Sequence, residues 1–257
     1  MVDATGRFSD RVENYIKHRP GYPPEVIQLL VAKGGLTQDS LIADIGSGTG
    51  ILSELLLQNG NRVFAVEPNR EMRTAAEKLL NHYENFISVD GRAEATTLAD
   101  HRVDMIVAAQ AFHWFDKARA RTEFARILKP QGWVALIWNE RRVASTVFLR
   151  DFENLFLKYG TDYAQVRHEN SEPDIAPFFA PCAFVCESFL NLQELDLEGL
   201  TGRVLSASYA PKPNDPNYEP MLNDLTEIFS THQIHGRVVI EYDTRVYLGH
   251  LNQTSTD

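Results

Sequence analysis

The stretch Leu41–Gly50, LIADIGSGTG, decides how the rest of this 257-residue chain is read. Leu41, Ile42, Ala43 and Ile45 form a short apolar run carrying one carboxylate, Asp44, and three alternating glycines follow at once. That pattern predicts a buried strand running into a tight turn. Beyond the turn, Ile51, Leu52, Leu55 and Leu56 recur at helical spacing, so the glycines lie between a strand's end and a helix's start. Such a junction suits a ligand. Strand carboxyl ends open onto a crevice, glycine lets a ligand touch the main chain, and the first-turn N–H groups of the helix have no partner within it.

Working outward, Arg62–Val66 reads as a second strand delivering Glu67-Pro68 at its carboxyl end. Asn69 caps a helix whose Met72, Ala75, Ala76, Leu79 and Leu80 share one face. Phe86–Val89 is a third strand ending in Asp90-Gly91, and Val103–Ala109 a fourth leading into QAFHWFD. A helix over Lys117–Leu128, a turn at Lys129–Gly132 and a fifth strand over Trp133–Trp138 follow. Upstream, Pro24–Ala32 forms a helix that Gly34 and Gly35 stop. This alternation predicts an α/β fold, a Rossmann-like doubly wound and mostly parallel seven-stranded sheet. After Asn139 the pattern changes. Val147 to Phe156 mark a helix, residues 161–181 read as polar and irregular, and strands at Ala183–Leu190 and Arg237–Leu248 flank a helix at Met221–Phe229. The last two strands are expected to form an antiparallel edge. One domain over 1–257 results: a cap at 1–40, a cofactor-binding core at 41–139, a small helical lid-like insertion at 140–182, and 183–250 completing the sheet.

Hydrophobic content of 44% supports a full core. The net charge of −10, from 25 bases and 35 acids, argues against a phosphate-tracking nucleic-acid partner and against an anionic membrane surface. MVDATGRFSD lacks the apolar centre of a signal peptide, and no apolar run approaches the roughly 20 residues of a membrane span. A cytoplasmic protein, monomer or homodimer, is expected. Cys182 and Cys186 fall on an extended stretch, about 13 Å apart, too far for a disulfide. No His or Cys stands at zinc-site spacing, and no metal is expected.

A glycine-rich turn of this kind takes either a dinucleotide or S-adenosylmethionine. The dinucleotide pattern is G-x-G-x-x-G/A, whereas Gly46, Gly48 and Gly50 are followed by Ile51 where the third small residue belongs. Asp44 would also repel a pyrophosphate and favour a ligand carrying an ammonium and a sulfonium. ADIGSGTG, AVEPN, VDGRAE and VDMIVAAQAFHWF, in that order, resemble class I S-adenosylmethionine-dependent methyltransferases. YIKHRPGYP and AQAFHWFD look like the type 11 branch that includes trans-aconitate methyltransferase-like enzymes. The resemblance spans roughly residues 8–139.

That resemblance implies S-adenosyl-L-methionine as cofactor, with Asp44, Gly46, Ser47 and Gly48 along its methionine portion. Glu67, followed by Pro68, would accept from both ribose hydroxyls. Many relatives place an aspartate after the glycine of the third motif, but here Arg92 stands there, so the adenine falls to Asp90, Ala93 or Glu94. Gln110 is placed to touch the methionine moiety. Methyl transfer needs an acceptor held dry and in line, and a base only if the nucleophile must lose a proton. Tyr15, Arg19, Trp114, Trp138, Asn139 and Arg141 are candidates for the acceptor pocket, with His113 as base or orienting group. Aromatic walls with a few cations suit a small polar or carboxylate-bearing methyl acceptor. Two rivals are a non-catalytic S-adenosylmethionine-binding regulator and an NAD-dependent oxidoreductase, the latter disfavoured by Ile51 and by the lack of a Tyr-x-x-x-Lys-like pair.

Overall fold

The computed structural model describes residues 16–163 and 172–251. Its strands are β1 (Leu41–Ile45), β2 (Arg62–Val66), β3 (Phe86–Val89), β4 (Val103–Ala109), β5 (Leu128–Arg141), β6 (Phe184–Leu195) and β7 (Val238–Gly249). The helices are α1 (Glu25–Gly34), α2 (Ile51–Gln58), α3 (Arg70–Leu80), α4 (Lys117–Ile127), α5 (Val147–Tyr159), α6 (Glu172–Phe179), α7 (Leu197–Leu205) and α8 (Tyr218–His232), with a 3₁₀ turn at Phe112–Trp114. No described helix is long and apolar enough to cross a membrane.

The strands form one sheet in the order β3-β2-β1-β4-β5-β7-β6. β1 to β5 pair in parallel, and β7 runs antiparallel to both β5 and β6. The expected antiparallel element is therefore the β6–β7 pair, with β6 outermost. Strand order reverses at β1, which has β2 on one side and β4 on the other, so the loops leaving β1 and β4 diverge and open a crevice. Four of the five β1 residues are buried, as a central parallel strand covered on both faces requires. One face packs Val26, Leu30, Leu52 and Leu56 on Ile42, Val107 and Ile137. The other packs Phe124, Ile127 and Phe178 on Ile45, Ile106 and Leu136.

The core elements follow the periodicity, including the Asn69 cap, whose side chain accepts from the Met72 N–H at 2.9 Å. Three regions differ. β5 begins at Leu128 and absorbs Lys129–Gly132 as an irregularity: its partner on β4 moves from Val103 at Leu128 to Met105 at Trp133. It also continues to Arg141, because β7 pairs with Asn139, Glu140 and Arg141. Residues 172–179, read as irregular, form α6, which buries Ile175, Phe178 and Phe179 in the main core. α7 had no expected counterpart; Asp196 caps it by accepting from the Gly199 N–H at 2.8 Å.

Within 140–182, α5 packs Phe148, Phe152 and Phe156 with Leu225 and Phe229 of α8 and Ile240 and Tyr242 of β7 in a second core. Cys182 and Cys186 form no disulfide among the described residues.

Candidate functional site

Gly46 sits where the chain leaves β1, with φ +71°, and a Cβ there would lie 2.6 Å from the Ala111 Cβ. Only glycine lets the two loops of the crevice meet so closely. Its N–H, with that of Ser47, donates to the Val66 carbonyl at 2.8 and 3.2 Å, tying the turn to the end of β2. Gly48, at φ +58°, has nothing within 4 Å of its Cβ position and faces open space.

Asp44 lies directly beneath this turn and is 1% exposed. Its Oδ2 accepts from the Ser53 hydroxyl at 2.6 Å, while Oδ1 is buried without a hydrogen-bond partner among the described residues. Burial pushes its pKa up to about 7; the Ser53 hydrogen bond opposes that rise, and the nearby Glu67 carboxylate adds to it. The Ser47 and Thr49 hydroxyls are likewise buried without a hydrogen-bond partner among the described residues. Unpaired buried oxygens cost stability, and a buried acid with a free oxygen is suited to receive a cation.

Glu67 ends β2, 9% exposed. Its Oε2 accepts from the Gly48 N–H at 2.9 Å and its Oε1 from the Asn69 N–H at 2.8 Å. Each oxygen keeps a lone pair, so vicinal hydroxyls could still be bound. Burial raises its pKa, against the Asn69 and Gly48 N–H groups and the Arg73 charge. Pro68 follows, half-buried. Arg73 donates to the Glu67 carbonyl at 2.7 Å and to Asp90 at 2.9 Å, fastening the ends of β2 and β3 together. The Asp90 side chain is 73% exposed. Ala93 is buried in the main core, leaving its main chain as what it can offer a ligand. Glu94 is committed elsewhere: its Oε1 accepts from the Asp116 N–H at 2.8 Å and pins the loop after β4.

That loop begins with Gln110 in the left-handed region, at φ +55°. Its side chain donates to the Asn139 carbonyl at 3.1 Å, so it turns toward the end of β5. Phe112 anchors the 3₁₀ turn in the core, edge-on to Phe178 with centroids 4.9 Å apart, which leaves His113 and Trp114 half-buried beside each other at 4.7 Å.

The remaining acceptor candidates are distributed differently from expectation. Trp138, expected in the pocket, is fully buried, edge-on to Phe112 and Tyr247 in the main core. The pleat turns it to the opposite sheet face from Asn139. Asn139 donates to the Gly21 carbonyl at 3.0 Å and accepts from Thr244 at 2.6 Å and Asn191 at 3.2 Å. With Gln193, which donates to the His18 carbonyl at 2.8 Å, it laces residues 18–21 across β5 and β6. Arg19 donates to the Ser206 carbonyl at 2.9 Å. Arg141 is ion-paired with Glu153, donates to the Tyr163 hydroxyl at 3.0 Å, and lies 5.0 and 5.1 Å from the Phe152 and Phe156 rings. Those partners make it part of the second core. Tyr15 lies outside the described residues.

Sequence reasoning missed Ser53 and Thr49. The signal for Ser53 was its spacing from Leu56 and Leu57, which puts a hydroxyl on the inward stripe of α2. Together, one sheet edge carries a buried acid with a free oxygen, an open glycine turn, a strand-end carboxylate and a histidine–tryptophan pair.

Residues 43–136 match the model of a family described as a methyltransferase domain. An uncharacterised methyltransferase of Mycobacterium tuberculosis (strain ATCC 25618 / H37Rv) is 38% identical over 139 residues, 54% of this chain and 54% of that protein. One from Schizosaccharomyces pombe is 34% identical over 138 residues, 52% of this chain and 53% of that protein. The chain thus spans about half the length of the curated relatives it matches. Among solved structures, a candidate type II methyltransferase from Anaeromyxobacter dehalogenans superposes with a TM-score of 0.66 at 19% identity, covering 91% of this chain and 98% of that one. A candidate methyltransferase from an antibiotic biosynthesis pathway of Anabaena variabilis gives 0.64 at 22%, covering 91% and 99%. At those identities the likeness is one of fold.

Proposed function

We propose, on the match of residues 43–136 to a family described as a methyltransferase domain, that this protein transfers the methyl group of S-adenosyl-L-methionine to a small polar or carboxylate-bearing acceptor. The observation that carries this reading is the buried, unpartnered Asp44 Oδ1 beneath an open glycine turn, with Glu67 two strand ends apart from Trp114 across the same crevice. That donor set fits the group the family implies. S-adenosyl-L-methionine supplies, when bound, a sulfonium methyl and its own leaving group.

In this reading Asp44, Gly46, Ser47 and Gly48 hold the cationic methionine end, and Glu67 with Pro68 holds the ribose. Asp90 and the main chain at Ala93 and Glu94 border the adenine. Gln110 sets the end of β4 through its bond to Asn139. His113 orients the acceptor or takes its proton, Trp114 and Arg19 bound the acceptor space, and Asn139 holds the N-terminal segment over it. Trp138 has no part in it, and Arg141 supports the second core. The net charge of −10 suits a small acceptor better than a nucleic acid. The cytoplasmic location, the monomeric or dimeric state and the lid role of 140–182 belong to the same reading.

The test pairs calorimetric titration of S-adenosylhomocysteine with transfer of a labelled methyl group to a panel of small carboxylates and amines. Binding with transfer to at least one acceptor is expected. His113→Ala should keep cofactor affinity and lower turnover; undiminished turnover removes His113 from the chemistry. Binding without transfer to any acceptor would favour a regulatory, non-catalytic protein.

A further inference from the structure

Among the described residues, no base pairs with Asp44. It is 1% exposed, one carboxylate oxygen is held by Ser53 of α2, and the other has no hydrogen-bond partner among the described residues. Among the described residues, the ionisable group that acts on it is a second acid, Glu67 just past the end of the neighbouring strand β2, itself nearly buried. Arg73 of α3, which donates to the Glu67 carbonyl and to Asp90, lowers the pKa of Glu67 but is not among the groups that act on Asp44. Two acids share a buried space in which the Gly48 and Asn69 N–H groups serve Glu67, while Ser53, through its hydroxyl and its main chain, is the donor acting on Asp44. A carboxylate so placed favours its protonated form until a cation arrives.

Resting on the cofactor reading above, we infer that Asp44 is a proton-exchange site: it holds a proton while the cofactor site is empty, and releases it when the ligand's ammonium occupies the free oxygen. Cofactor capture then competes with protons. The folded, empty protein has Asp44 pushed up to about 7 by burial, so most copies carry the proton below neutral pH and few do above it. Affinity should therefore rise through the neutral range and level off once Asp44 is already ionised. The proton leaves to bulk buffer and no covalent bond of the ligand changes.

The experiment titrates S-adenosylhomocysteine into the full chain by calorimetry at pH 6 and pH 8, each in two buffers of different ionisation enthalpy. For a group titrating near 7, release of about one proton per ligand is expected at pH 6 and almost none at pH 8, with affinity about tenfold weaker at pH 6. Asp44→Asn should bind weakly at both pH values with no proton release. Ser53→Ala, which removes the side-chain hydrogen bond opposing the raised pKa and leaves the Ser53 main chain in place, should move the change in affinity to higher pH, and it keeps the test alive if Asp44→Asn does not fold. Binding at both pH values without proton release, or release that survives Asp44→Asn, would overturn the inference alone. Absence of binding at either pH would overturn the cofactor reading beneath it.

Discussion

Glu67→Gln isolates what the carboxylate at the end of β2 does, because the change preserves shape and removes one acceptor. At present the two oxygens accept from the Gly48 and Asn69 N–H groups at 2.9 and 2.8 Å. An amide offers one acceptor and turns an NH₂ group against the other N–H. Losing a hydrogen bond to a charged acceptor costs about 1.5–3 kcal/mol. The substitution also removes a buried charge whose pKa burial already raises, so part of that cost is returned to the folded state. The net loss of fold stability should stay near 1 kcal/mol, read by thermal or urea unfolding. Cofactor binding has no such offset. The ribose hydroxyls lose a charged acceptor, and Gly48, at the open turn, loses its tether, so S-adenosylhomocysteine affinity should fall by about 1.5–3 kcal/mol, roughly 10- to 150-fold. Calorimetry on the folded variant measures this. An affinity within twofold of the unaltered protein would refute the assignment of Glu67 to the ribose and the tether argument together.

Gly46→Ala should melt earlier and bind cofactor poorly, because the added Cβ would lie 2.6 Å from Ala111 and the left-handed backbone alone costs about 1–2 kcal/mol; an unchanged melting temperature would show that the two loops yield freely. Arg141→Met leaves Glu153 charged in the second core and should cost about 3–5 kcal/mol by urea unfolding, much of it recovered when Glu153→Gln is added; a loss confined to the double variant would contradict the ion-pair reading. Asp44 also gives the empty protein a pH signature. Its folded-state pKa of about 7 stands above the ordinary 3.8, so the folded form holds the proton longer, and stability present below pH 4 is lost as pH rises toward 7, by an upper bound on the order of 4 kcal/mol. Asp44→Asn should flatten that decline in urea unfolding at pH 5 and 8, and an equally steep decline in the variant would mean another group is responsible.

The parallel core was legible because its signals are local. The run Leu41–Ile45, the glycines after it and the capped, amphipathic α3 each declare themselves over a few residues. The second half was read less well for the opposite reason. β6, outermost in the sheet, alternates partly buried and exposed positions, and α6 and α7 are short helices whose existence depends on cores assembled from distant segments. The irregular start of β5 was read as a turn because Pro130 and Gly132 do mark a local break, although pairing resumes on either side of it.

For the candidate site the same division holds. LIADIGSGTG and Glu67 determined by themselves that an acid and a glycine turn stand at the ends of adjacent strands, since period and turn chemistry suffice for that. Only the tertiary structure decided which neighbours those groups meet: Ser53 on Asp44, Gly48 on Glu67, and Trp138 and Asn139 on opposite faces although they are adjacent in sequence. In a strand covered on both sides the two faces look alike in composition, so alternation says that neighbours part but not which of them turns to the core.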